Sequence, residues 1–178
     1  MKRLWGEMRS VVPIVICVLA LAGLADSTYL SLAHFGLVDL HTSSVPNVCG
    51  IGAGGCEEAL TSPQATILGI PTALLGAAYF AVVFVAALAR VASGKWPRPA
   101  LFAIILAGGL GFSAYLLYSL ILVLRTSCPY CMVAHTLNIA AIVLCVVSFS
   151  EDGLVASAGR SVQVFTRGHA PRRWRTQP

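Results

Sequence analysis

The sequence predicts an all-α integral membrane protein, a bundle of four transmembrane helices, and three observations lead there. The chain is 57% hydrophobic and 11% charged, with a mean hydropathy of +0.82, whereas a soluble domain carries about 25% charged residues. Four apolar runs, at residues 11–33, 67–89, 100–124 and 128–149, each reach the roughly 20 residues that a bilayer-crossing helix needs. Lys and Arg fall in the N-terminus, between Arg90 and Arg98, or after Ser150, with Arg125 the sole exception. Positive residues stay cytoplasmic, so both termini are expected inside and residues 34–66 and 125–128 outside. The net charge of +5 is therefore an orientation signal rather than a nucleic-acid surface. One bundle over residues 1–150 and a tail over 151–178 account for the length.

The first run follows a short basic segment with Lys2, Arg3 and Arg9. A positive flank before an apolar stretch resembles a signal peptide, but the stretch continues beyond a normal signal core. Asp26 interrupts it near its outer end, to bond a neighbouring helix or to reach headgroup water. Residues 34–66 form the long polar connection, where Gly50, Gly52, Gly54 and Gly55 make the chain between Cys49 and Cys56 flexible. Thr61-Ser62-Pro63 marks a turn or helix start at the membrane surface. Pro71 falls near the start of the second run, where proline is tolerated. Gly108, Gly109 and Gly111 give the third run a smooth stripe for close helix approach. The fourth begins at Cys128-Pro129-Tyr130-Cys131 and ends near Phe149. The tail, with Arg160, Arg167, Arg172, Arg173 and Arg175, is expected to be solvated and partly disordered.

Six cysteines carry the chemistry. Cys17 and Cys145 lie inside apolar runs and read as small buried hydrophobes. The other four form two pairs on one outer face, which implies an oxidising compartment. Cys128 and Cys131 share one face of a helix start, where the N-terminal dipole stabilises a thiolate at Cys128. A flexible pair beside a helix-mouth pair suits a relay by thiol–disulfide exchange. A helix mouth at the lipid boundary points to a lipid-soluble, two-electron acceptor, for which a quinone is suited. Two other readings stand beside this one. One is a permanent disulfide that pins the loop. The other is a four-thiolate zinc site, although the Cys49–Cys56 spacing is wider than zinc ribbons favour.

Cys49 and Cys56, then Ser62-Pro63, then Gly69-Ile70-Pro71, then Cys128-Pro129-Tyr130-Cys131, taken in that order, resemble the bacterial branch of the vitamin K epoxide reductase family. The resemblance covers roughly residues 11–149. It implies a four-helix bundle around a quinone, capped by the outer loop with a short helix. It also implies that Cys49 exchanges with an external thioredoxin-like protein, that Cys56 relays to Cys128, and that Cys131 faces the quinone. Ser62 would help to position the relay or the quinone. Two positions depart from the vertebrate pattern: His135 stands where those members carry a tyrosine, and Thr72 where they carry an asparagine. Both side chains are able to hydrogen-bond a quinone carbonyl, and the changes favour plain quinone reduction over epoxide reduction. Many bacterial relatives carry a fused thioredoxin-like domain; this chain ends in a basic tail, so a separate partner polypeptide is expected.

The bland readings of the remaining polar residues are a backbone or interhelical bond for His135, helix–helix glue for Asn138 and an interfacial anchor for Tyr130. His34 and His41 read as solvated loop residues. The resulting expectation is a thiol:quinone oxidoreductase of the cytoplasmic membrane. It would re-oxidise an extracytoplasmic, DsbA-like protein and pass the electrons to ubiquinone or menaquinone through Cys49, Cys56, Cys128 and Cys131. Ser62, Thr72 and His135 would lie at the quinone, and no resident metal is required. A membrane scaffold with structural disulfides is the alternative of another class, and a metal-binding membrane protein a third.

Overall fold

The computed structural model describes residues 2–38, 55–126 and 128–168. Among these, four helices are long and apolar enough to cross a membrane, over Val11–His34, Thr72–Ser93, Pro99–Val123 and Pro129–Ser150. The first belongs to α1 (Lys2–His34), which runs through Pro13 unbroken. A short helix, α2 (Gly55–Thr61), follows the long connection. A single 3₁₀ turn (Pro63–Ala65) leads from it to a two-stranded hairpin, β1 (Thr66–Ile67) and β2 (Ile70–Pro71). Then come α3 (Thr72–Ser93), α4 (Pro99–Tyr118), a π-helical turn (Ser119–Val123) and α5 (Pro129–Gly168).

Local chemistry sets the ends. The residue before a proline is pushed toward extended backbone. Ile70 accordingly pairs with Ile67, and Thr66 with Pro71. Leu68 and Gly69 between them both have positive φ, 53° and 79°, the pattern of a two-residue type I′ turn. The second span therefore starts at Thr72 rather than at residue 67, and Pro71 is its N-cap. At the far end of α3, Gly94 adopts the left-handed conformation and its N–H donates to the Arg90 carbonyl at 2.9 Å, a common helix stop. Pro99 opens α4, where a missing N–H is no loss.

The tail reads as polar from Glu151, and α5 continues through it to Gly168. Polarity marks where lipid ends, not where a helix ends: residues 151–168 contain no proline and several good helix formers. The helix thus runs across the boundary expected at residue 150.

The bundle is solid at one end and hollow at the other. At the solid end, Ile16, Ala20, Val83, Ala87 and Cys145 are buried together with Trp96 and Phe102. Trp96 stacks on Phe102 with centroids 5.1 Å apart, meets Phe149 at 5.2 Å, and donates its indole N–H to Ser148 Oγ at 3.1 Å. Arg90 is buried there too; it pairs with Asp152 at 3.1 Å and donates to the Gly94 carbonyl. Helices α1 and α3 approach closely because Gly23 has no side chain; a Cβ there would overlap the Phe80 ring. Cys17 and Cys145 are free thiols packed at this end, as small hydrophobes should be.

Candidate functional site

At the hollow end the site is assembled from α2, the π turn and the start of α5. Cys128 precedes α5 directly and acts as its cap. Its carbonyl accepts from Met132 N at 3.0 Å, and its sulfur accepts from the Cys131 N–H at 3.3 Å. Pro129 occupies the first helical position. Cys128 and Cys131 are joined in a disulfide. The backbone N–H that meets Cys128 Sγ is one of the unsatisfied donors of a helix start, so the same contact favours negative charge on that sulfur once the disulfide opens.

Cys56 lies in α2 and is itself disulfide-bonded. It is 2% exposed and Cys128 is 0% exposed, and the two are buried in one cluster with Leu120. Leu120 reaches them because α4 does not stop at Tyr118. The chain widens into the π turn, with Leu124 N bonding Ser119 O at 2.9 Å and Thr126 N bonding Leu120 O at 3.2 Å. Single π turns inside helices are often found at functional sites. Cys49 and His41 fall outside the described residues.

Beneath the disulfide lies a cavity of about 340 Å³, within the usual range for small-ligand pockets. Cys131 is on its wall, and so are Ser62, Thr72 and His135. The three differ in what they have left to offer. Ser62 donates to the Ala59 carbonyl at 2.9 Å and Thr72 to the Ala65 carbonyl at 3.2 Å, so each hydroxyl proton is already in use. His135 Nδ1 lies 3.1 Å from Ser113 Oγ, which leaves Nε2 to the cavity. Asn138 donates to the Gly109 carbonyl at 3.1 Å and to Ser113 Oγ at 2.7 Å. It does tie α5 to α4, and it lines the cavity as well.

Three residues here were not among the sequence candidates: Tyr79, Ser113 and Asn138 as a cavity residue. A signal existed for Tyr79, which follows Thr72 by seven residues and so shares its helix face. Ser113 carried none, because a serine inside an apolar run reads the same whether it faces lipid, a helix or a ligand.

His34 is corrected. It ends α1, and its Nδ1 lies 3.0 Å from the Leu60 carbonyl, so it ties the Cys56-bearing α2 to α1. Tyr130 is half-buried against Tyr29, ring centroids 5.4 Å apart. Asp26 is half-exposed, with one carboxylate oxygen buried and without a hydrogen-bond partner.

A family model described as the vitamin K epoxide reductase family matches residues 14–146, which is most of the chain. The chain belongs to that family. It is a membrane oxidoreductase of thiols and disulfides, of a quinone-linked kind in general.

Proposed function

We propose that the protein is a thiol:quinone oxidoreductase that re-oxidises a separate extracytoplasmic, thioredoxin-like protein and delivers the electrons to ubiquinone or menaquinone. One observation carries this reading: a single disulfide has one sulfur buried beside Cys56 and the other on the wall of an apolar cavity. A scaffold with structural disulfides has no need of that two-sided placement.

The burial of Cys128 sets the order of events. A sulfur with no exposed surface is out of reach of another protein, so the partner must enter elsewhere, and Cys49 in the outer loop is the entry. Partner thiols reduce the Cys49/Cys56 pair. The Cys56 thiolate attacks Cys128 Sγ, forms a Cys56–Cys128 bond and expels Cys131 as a thiolate. Cys49 then attacks Cys56, restoring its own disulfide and releasing Cys128. Two electrons have moved to the Cys128/Cys131 pair, and every sulfur is accounted for.

The cavity fits a quinone on this chain's own atoms. Its walls are mainly apolar, and Tyr79 Oη and Asn138 Oδ1 are buried there without partners. A bound quinone accepts two electrons and two protons. Ser113 links His135 to Asn138; with the Ser113 O–H donated to His135 Nδ1, Nε2–H becomes the donor toward a quinone oxygen. Ser62 and Thr72 shape the cavity wall and hold α2 and α3 in place, while their oxygens remain acceptors.

The test is to mix purified protein with a reduced thioredoxin-like protein and a quinone and to follow quinone absorbance. Quinone is expected to be consumed, and Cys131→Ala is expected to abolish its consumption and to accumulate a Cys56–Cys128 or partner-linked species. Wild-type rates from Cys131→Ala would end the proposal.

A further inference from the structure

The floor of the cavity holds a donor without an acceptor and an acceptor without a donor. Tyr79 on α3 and Asn138 on α5 both line the cavity, and both meet Gly109 of α4. The phenol of Tyr79 occupies the place a Cβ on Gly109 would take. Asn138 is 4% exposed. Its amide nitrogen is anchored twice, on the Gly109 carbonyl and on Ser113 Oγ. A backbone carbonyl only accepts, so this contact fixes the amide with Nδ2 toward α4 and Oδ1 away from that carbonyl. Tyr79 Oη and Asn138 Oδ1 are both buried and have no partner. Unpaired buried polar atoms cost stability, and a ligand group that pairs with both removes that cost.

A hydroxyl is such a group. It accepts from the Tyr79 O–H and donates to Asn138 Oδ1. A quinone carbonyl has no proton to give and satisfies Tyr79 alone. The geometry points to Tyr79 and Asn138 as a hydroxyl-binding pair that holds the quinol form of the acceptor more tightly than the quinone form.

This rests on the quinone reading of the cavity and adds a preference between redox forms. In the reaction, the Cys128 and Cys131 thiols close to a disulfide and release two electrons and two protons. The two quinone oxygens each gain one proton. The new O–H at the floor donates to Asn138 Oδ1, an interaction absent before reduction. Tighter binding of the product draws the exchange toward disulfide and quinol by the ratio of the two affinities.

The experiment uses a Cys131→Ser protein, which binds without turning over, in lipid nanodiscs under anaerobic conditions. The probes are 2,3-dimethyl-1,4-naphthoquinone and its quinol. The quinol is expected to bind about tenfold more tightly than the quinone, the order of one hydrogen bond. Adding Tyr79→Phe should weaken quinol binding by a similar factor without lowering the thermal midpoint, since the hydroxyl removed has no partner in the protein. Equal affinities for the two forms, or unchanged quinol binding by the Tyr79→Phe protein, would overturn the inference. Those results, with quinone still bound and reduced by the wild type, remove this inference alone. Failure of either form to bind removes the quinone reading with it.

Discussion

Cys128 has no exposed surface, Cys131 faces a cavity, and His135 stands one helical turn beyond it on the same wall. The roles of such neighbours separate by what each side chain has left to offer. Ser62 and Thr72 have given their protons to backbone carbonyls, whereas His135 keeps one ring nitrogen for the cavity. His135→Phe keeps an aromatic ring at the site and removes both nitrogens. Turnover with quinone is expected to fall about tenfold, while dithiothreitol still opens the Cys128–Cys131 disulfide at the wild-type rate; unchanged turnover would move His135 to a purely structural place. Asp26 tests the opposite case. Its buried, unpartnered oxygen lies within a span, where an unpaired polar atom costs about 1–3 kcal/mol. Asp26→Leu should raise the thermal midpoint in detergent by a few degrees and leave turnover intact; a fall in turnover would give the acid a functional part. At this scale the Cys128–Cys131 disulfide was legible, because a three-residue spacing at a helix start brings two sulfurs to one face. Tyr79 and Ser113 were not, because what they do depends on which helix lies opposite, and one chain read alone does not say.

The elements tell a similar story. Hydropathy located all four spans, since lipid demands a continuous apolar length. It missed the hairpin before α3, where five residues of an apolar run turn back on themselves. Leu68 is 97% exposed and held at a φ of 53°, a conformation that costs an L-residue roughly 1–2 kcal/mol. Asparagine is the preferred residue at the first place of this turn. Leu68→Asn should therefore stabilise the protein by about 1 kcal/mol, read as a higher thermal midpoint; a lower midpoint would mean that the exposed leucine makes a contact of its own outside the chain. The π turn after Tyr118 was illegible for another reason. Its sequence is ordinary helix, and only the need to bring Leu120 against Cys56 and Cys128 distinguishes it.

At the scale of the whole molecule, orientation in the membrane is the remaining claim, and it rests on charge. The structure changes the weight of one vote: Arg90 is buried and paired with Asp152, so its charge is spent inside the fold. Lys95 and Arg98 are exposed in the same connection, and by the positive-inside rule that end is expected on the cytoplasmic side. Helix α3 separates this end from the hairpin, and its 22 residues rise about 33 Å, the thickness of the hydrocarbon layer. Leu68 and Lys95 therefore sit at opposite faces of the bilayer, and both are exposed. Leu68→Cys and Lys95→Cys, each placed in the otherwise unchanged chain, give one reporter thiol per face. Added to intact spheroplasts, a membrane-impermeant maleimide should label the Leu68→Cys protein above the wild-type background and leave the Lys95→Cys protein at background until the membrane is opened. The reverse pattern would put Cys56, Cys128 and the mouth of the cavity in the reducing cytoplasm. A dithiol there is kept reduced by other means, and the oxidative direction proposed for the relay would have no substrate to serve.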